Sequence, residues 1–410
     1  MPRRVFISSV GMVSPHGSDP GAVFEAVFAG VSAVRLCRTG TDEFGGDALL
    51  ALSDFDPSHR ISKAQTRLQS RAAQMAVCAA YDALEATGLL GDTQSLHETG
   101  VYMGCGLGGA EVLQEAYRVY FNRKSRRLNP VTVPLIMASG PASHMSMCFG
   151  ARGPSHTFSI ACASSAVAIG EAFRAIRDGY IDRVLAGGSE AMLNDGSVAA
   201  WQRLGVMASP HPDGAPASSR PFDKDRTGLV LGEGSVVLVL ESEEVAAERG
   251  ADPIAEIVGY GASSDADNLT EPDADGQERT VRAALRDARV DASDVGYVNA
   301  HGTGTLAGDA VELDVMARVF GPGAPGVAVS STKSVHGHLV GAAGALECAL
   351  TAFALKRGQI PPTAHLKTPT PDTDIDLVPR VGRAAPELKV ALSNSFAFGG
   401  SNATLVLKRT

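Results

Sequence analysis

In "FSIACASSAVAIG", residues 158–170, Cys162 stands between an extended apolar run and a stretch of small, helix-compatible residues. A thiol at a helix start feels the partial positive charge of unpaired backbone N–H groups, which favours thiolate. The alanines and serines after it leave the turn open to a long substrate arm. A nucleophilic thiolate suits thioester exchange, in which an acyl group passes between sulfurs at little thermodynamic cost. Three further segments carry matching chemistry. "NAHGTGT" places His301 just beyond a strand end, "TKSVHGH" brings Lys333, His336 and His338 together, and "NSFAFGG" holds Phe396 and Phe398 in a Gly-rich turn. Two neutral histidines can donate hydrogen bonds to a thioester oxygen as it becomes an enolate, which is oxyanion stabilisation rather than general-base work. A backbone N–H of the FAFGG turn can join that of Cys162 as a second oxyanion site.

Each feature also has a plainer reading. Small buried cysteines are common core residues. A strand-end histidine is often only a satisfied hydrogen-bonding group, Gly-rich turns are often only turns, and a lysine with two histidines can open a solvated helix. Zinc is disfavoured because the cysteine and histidines offer no tight ligand-pair spacing except His-x-His, so no metal is expected.

The elements that must position these residues are legible as alternating strands and helices. Val5–Gly11 reads as a first buried strand, 71–89 as a helix ending at Gly88, and 100–109 as a strand running into a Gly-rich turn. Helix "SSAVAIGEAFRAIRDGY", strand "DRVLAGGSEA" and strand 234–242 follow; then come helix "RTVRAALRDARV", strand "VGYVN", helix "GALECALTAFALKRG" and a closing strand–loop–strand. Such alternation favours a mostly parallel sheet covered by helices on both faces. The order of extended segment, reactive-looking turn and small-residue helix from Phe158 recurs from Val327. An internally duplicated α/β fold is therefore expected, with halves 1–250 and 251–410 and the boundary near residues 245–255. The turn-rich segment 209–226 reads as an ordered surface loop. The acidic segment 263–276 reads either as a solvated loop or as the lining of a pocket mouth.

The bulk numbers agree. A chain of 410 residues is long for a single core. Its net charge of −9 argues against nucleic-acid binding. Six cysteines without a Cys-x-x-Cys pair suggest reduced thiols. The start "MPRRVFISSVGMVSP" mimics a signal peptide, but the run is short, contains serines and ends at Pro15. A cytoplasmic protein with no membrane contact is the expectation.

Together "ACASS", "AHGTGT", "TKSVHGHLVGAAGALE", "NSFAFGGSN" and "SRPFDKDRTGLVLGEGS" resemble the elongating β-ketoacyl-[acyl-carrier-protein] synthases of type II fatty-acid and polyketide synthesis, with the motifs in family order along the whole chain. The resemblance implies a thiolase-like fold, two similar halves in a five-layered α-β-α-β-α sandwich, normally dimeric. It implies acyl transfer to Cys162, decarboxylation of malonyl-carrier promoted by His301 and His338, and condensation to a 3-oxoacyl-carrier. Lys333 would orient the site electrostatically with Glu347 beside it, and Phe398 would be the gate beside the nucleophile. Thr303 and Thr305, with Thr270 and Phe396, would line the path of the phosphopantetheine arm. Leu107 would limit the acyl pocket near the dimer interface, and Asp309 and Glu312 would form an acidic pair behind the histidine loop. No cofactor is implied beyond the carrier's own phosphopantetheine.

The partners implied are an acyl carrier protein and a second subunit, either an identical copy or a chain-length-factor-like one. A carrier is acidic, so binding to this acidic chain needs a local basic patch. Lys63, Arg67, Arg126 and Arg127, in the two densest basic clusters, are the candidates. A thiolase or priming synthase acting on coenzyme A esters fits less well, because such enzymes use Cys-His-Cys or Cys-His-Asn sets. Three positions depart from the family pattern: Gly308 stands where part of the family has Asn, Asn268 where a histidine is frequent, and Ala397 where Phe-Gly-Phe is usual. If position 397 needs positive φ, alanine costs about 1 kcal/mol or more.

Overall fold

The computed structural model describes residues 2–40, 46–371 and 373–410. Apolar, β-branched runs bounded by glycine become strands, most of them buried on both faces because helices cover both sides of the sheet. In the first half these are β1 (Val5–Val13), β2 (Gly100–Gly104), β3 (Ser155–Phe158), β4 (Arg183–Glu190) and β5 (Gly234–Ser242). In the second they are β6 (Ala255–Ser264), β7 (Tyr297–Asn299), β8 (Ala328–Ser330), β9 (Val390–Ala397) and β10 (Ser401–Lys408).

These strands run in the order β8-β7-β9-β10-β6-β1-β5-β4-β2-β3. From the centre outward, each half presents its first, fifth, fourth, second and third strand, so the topology repeats. The two halves join where Val5–Ile7 of β1 pair with residues 255–257 of β6. Only the outer strands of each half pair in parallel; the central ones are antiparallel. The sheet is thus mixed, where strand–helix alternation alone predicted a mostly parallel one. The cause is plainest at β9 and β10. A tight turn with Gly399 at φ +83° and Gly400 at +68° joins them, and so short a link permits only antiparallel pairing.

Six helices complete the layers: α1 (Arg71–Thr87), α2 (Gly140–Phe149), α3 (Ser164–Arg177), α4 (Ala274–Ala288), α5 (Leu306–Phe320) and α6 (Ala343–Arg357). α3 and α6 pack on each other and on strands of both halves, forming the central layer. α1 with α2 covers one outer face and α4 with α5 the other. This is the expected five-layered, thiolase-like arrangement. Helix α6 is buried all round its first ten residues, as a helix sandwiched between two sheets must be. Alanine, glycine and serine on α3 and α6 let the layers approach closely; a Cβ built on Gly344 would lie 2.9 Å from the Ala166 Cβ. Helix α4 starts earlier than its apolar spacing suggested, because the Asp273 side chain accepts the Gly276 N–H and caps it there.

Candidate active site

Cys162 lies in a one-turn 3-10 segment, Ala161–Ala163, that feeds directly into α3. Ala161 adopts φ +42°, a strained conformation for alanine, held by the Ser164 hydroxyl, which accepts the Ile160 N–H and donates to the Ala161 carbonyl. Cys162 is buried, in one hydrophobic cluster with Met192, Val198, Leu229 and Val340. This burial reverses the sequence expectation for its acidity. Desolvation pushes the thiol up to about 12, opposed by the charge of Lys333 and by the nearby Phe398 backbone. A thiol held there rests neutral, so to attack a thioester it would need a proton acceptor.

His338 supplies one: its Nε2 lies 2.9 Å from Cys162 Sγ. The His301 ring stands edge-on to it, centroids 5.4 Å apart, and ligand atoms of Cys162, His301 and His338 all fall within 4.8 Å of one another. Both rings are held well below the usual imidazole range, first by burial and then by Lys333. Lys333 is itself buried and bonded to Glu347, with its Nζ 3.4 Å from His301 Nδ1. An ammonium has only donors, so Nδ1 must accept and the His301 proton must sit on Nε2. Such an arrangement presents an N–H donor to the cavity.

Behind the histidine loop, Glu312 accepts the N–H groups of His301 (2.8 Å) and Gly302 (2.7 Å). Asp309 accepts those of Gly304 (3.0 Å) and Phe222 (2.7 Å) and pairs with Arg226. The acidic pair therefore shapes the loop, and Glu312 also lines the cavity onto which the loop faces. The second half of segment 209–226 also differs from the surface loop expected. Residues 218–223 are buried, because Asp223 must reach Arg220 and the backbone N–H groups of Lys367 and Thr368.

A cavity of about 290 Å³ opens onto this set. Cys162, His301, His338, Thr303, Thr305, Thr270, Phe396 and Phe398 all line it, and so do Asp265, Leu269, Glu271 and Pro272 of the acidic loop. That loop lines the mouth. It is strapped to the FAFGG turn by the Gly399 N–H donated to the Leu269 carbonyl (2.7 Å) and by Asn402 Nδ2 donated to Asp265 (2.6 Å).

Sequence comparison decides the family. The Beta-ketoacyl synthase N-terminal domain matches residues 2–246, and the Beta-ketoacyl synthase C-terminal domain matches residues 254–367. This chain belongs to the β-ketoacyl synthase family. It is 40% identical over 409 residues to a Nodulation protein E of Rhizobium sp. (strain N33), with full coverage of both chains. To the 3-oxoacyl-[acyl-carrier-protein] synthase 2 of Staphylococcus aureus (strain COL) it is 36% identical, covering 99% of this chain and 98% of that one. Among solved structures it is similar to the ishigamide ketosynthase/chain length factor, with a TM-score of 0.92, 32% identity and full coverage of both chains. A Beta-ketoacyl synthase from Burkholderia phymatum STM815 superposes with a TM-score of 0.91 at 35% identity, again over both whole chains. The synthase is an acyltransferase of the elongating, condensing class.

Not every residue singled out in the sequence reaches the synthase cavity. Leu107 does not line it; it is 52% exposed, and its N–H donates to Glu190 instead. Lys63, Arg67, Arg126 and Arg127 are exposed and make no ion pair among the described residues. Ala397 is the last residue of β9, paired with Ser401, and is not among the positive-φ residues, so alanine there carries no backbone strain. Asn268 accepts the N–H groups of Thr270 (2.9 Å) and Glu271 (3.3 Å) and so shapes the acidic loop. Two residues escaped the sequence reading. Trp201 stacks on the Phe398 ring (centroids 6.0 Å apart, 25°), a pairing that a separation of 197 positions conceals. Glu190 ends β4 as a fully buried carboxylate; its signal was an acid closing an apolar strand opposite a Gly-rich loop.

Proposed function

We propose that this synthase elongates acyl chains carried on the phosphopantetheine of an acyl carrier protein, with Cys162 as the acylated residue. The observation carrying this is the buried triangle of one thiol and two neutral imidazoles at the floor of the cavity. In the first half-reaction the Cys162 sulfur attacks the carrier thioester. Its proton passes to His338 Nε2, 2.9 Å away, and on to the departing pantetheine sulfur. In the second, malonyl-carrier loses CO₂, and the electron pair of the broken C–C bond becomes an enolate. The Nε2–H of His301 stabilises its oxygen, joined by His338 once solvent has exchanged that ring's proton from Nδ1 to Nε2, and Lys333 acts electrostatically through His301. The enolate carbon attacks the acyl-Cys162 carbonyl, whose oxygen is held by the backbone N–H groups of Cys162 and Phe398. Cys162 leaves as thiolate and takes one proton from solvent. No cofactor is needed beyond the carrier's arm.

Thr303 and Thr305, whose hydroxyls lie 3.1 Å apart on the cavity wall, with Thr270 and Phe396, guide that arm, and Phe398 gates it. Lys63, Arg67, Arg126 and Arg127 dock the acidic carrier. A second subunit covers the exposed apolar side chains of Tyr117, Phe121, Val133, Met137 and Met147, each at least 48% exposed in the single chain. The likeness to a ketosynthase/chain length factor structure supports a heterodimer as readily as a homodimer. Among the described residues no helix is long and apolar enough to cross a membrane, in keeping with action on carrier-bound substrates in the cytoplasm. Incubation with acyl-carrier and radiolabelled malonyl-carrier tests the assignment: wild type extends the chain and Cys162→Ala does not. Extension by Cys162→Ala would refute it.

A further inference from the structure

Glu190 is the buried acid that the mechanism leaves unused. Its side chain is fully enclosed, and among the described residues no cation pairs with it. Three backbone donors hold it instead. Oε2 accepts the N–H groups of Gly106 (2.8 Å) and Gly341 (3.2 Å), and Oε1 accepts that of Leu107 (3.2 Å). Burial pushes this carboxyl up to about 7, with the N–H groups pulling the other way. A carboxyl kept at such expense in a sheet core needs a purpose. The three donors come from different halves of the fold. Gly106 and Leu107 follow β2, whereas Gly341 lies in the 3-10 turn Val340–Ala342, three residues after His338. Val340 in that turn has φ +43°, a strained conformation for a β-branched residue, and its side chain packs in one cluster with Cys162. Both glycines leave room for the carboxylate, since a Cβ on Gly106 or Gly341 would stand 2.4 or 2.6 Å from Oε2.

We propose that Glu190 is a positioning residue that pins the loop after β2 to the Val340–Ala342 turn and thereby fixes His338 against the Cys162 sulfur. The catalytic consequence rests on the condensing role assigned above; the geometric one does not. Glutamine cannot replace it. Whichever way the amide turns, its NH₂ faces either the Leu107 N–H or those of Gly106 and Gly341, a donor against a donor. Aspartate keeps the charge but falls one methylene short of spanning both segments.

The experiment compares wild type with Glu190→Gln and Glu190→Asp at pH 8, with two readouts. Iodoacetamide alkylation of Cys162, followed by site-resolved mass spectrometry, needs no substrate and tests the pin itself. Both variants should slow it about tenfold, because His338 no longer meets the thiol proton. Condensation of acyl- and malonyl-carrier tests the consequence: kcat should fall about 10- to 100-fold, the scale on which small misplacements act, with KM within about threefold. Should either variant prove unfolded, Gly106→Ala displaces the same carboxylate from the opposite side and must give both effects. Alkylation within twofold of wild type in a folded variant, or full activity in Glu190→Asp, overturns the proposal. If wild type itself fails to condense while the variants still alkylate slowly, the pin stands and the functional assignment falls.

Discussion

Lys333→Met tests the electrostatics of the centre, because it keeps the buried stem and deletes the charge. From the 3.4 Å contact with His301 Nδ1, across the ring and one hydrogen bond, Nζ stands roughly 8 Å from the enolate oxygen. At an effective dielectric of about 20, a unit charge at that distance contributes about 2 kcal/mol, or about 30-fold in rate. This is a ceiling, since the malonyl carboxylate already feels part of the same field before it departs. The tautomer lock on His301 disappears as well. Release of labelled CO₂ from malonyl-carrier should therefore slow about 10- to 30-fold, with KM little changed. Stability supplies a second arm. Burial already holds Glu347 at about 7, and Lys333 is what restrains it from going higher. A carboxyl with a raised folded value stabilises the fold below its usual range near 4.5 and loses that contribution as pH climbs through the folded value. Removing Lys333 pushes that value up and makes the loss at pH 8 larger, by up to about 1.4 kcal/mol per pH unit of further shift. The Tm gap between wild type and Lys333→Met should widen from pH 6 to pH 8. An unchanged decarboxylation rate together with a pH-independent gap would refute the electrostatic reasoning.

Ala397→Gly should lower Tm and cost about 0.5–1 kcal/mol of stability, because the position is extended strand and glycine adds only unfolded-state entropy; stabilisation would mean that alanine is strained there after all. Reversing Lys63, Arg67, Arg126 and Arg127 to glutamate should raise KM for carrier-bound substrate at low salt, and the difference should shrink as ionic strength rises. Unchanged salt dependence would place docking elsewhere. Because burial and Lys333 keep His301, His336 and His338 well below the usual range, their ¹⁵N resonances should remain those of neutral rings at pH 5.5. A protonation midpoint near 6.5 for either cavity histidine would remove the neutral-donor mechanism.

Local pattern made much of this legible. Cys162 before a run of small residues, His301 after a strand, and Lys333 five positions before His338 are short-range features, and the elements around them appear close to where the sequence put them. What escaped depends on distant segments. The thiol's acidity is set by burial in a cluster whose members, among them Met192, Leu229 and Val340, come from distant parts of the chain, so burial outweighs the helix start. The central antiparallel pairing follows from how each half's last strand returns, which strand–helix alternation does not encode. The Leu107 N–H donates to Glu190, an interaction between residues 83 positions apart that no local pattern announces.

The duplication explains why the site is asymmetric. Ala161–Cys162–Ala163 and Val340–Gly341–Ala342 are equivalent 3-10 turns, each opening with a residue at positive φ (+42° and +43°) and each feeding a helix of the central layer. Where one turn carries the nucleophile, the other carries glycine, and a side chain there would strike Glu190. The second half instead extends the link between strand and turn, and residues 331–339 supply Lys333, His336 and His338. One copy of the unit thus keeps the sulfur, while the other gives up its side chain and gains the imidazoles. Neither half alone contains both the Cys162 thiol and the imidazole that meets it. The catalytic distance between them is set by contacts across the central layer, which is why a buried acid bridging the two turns bears on chemistry it never touches.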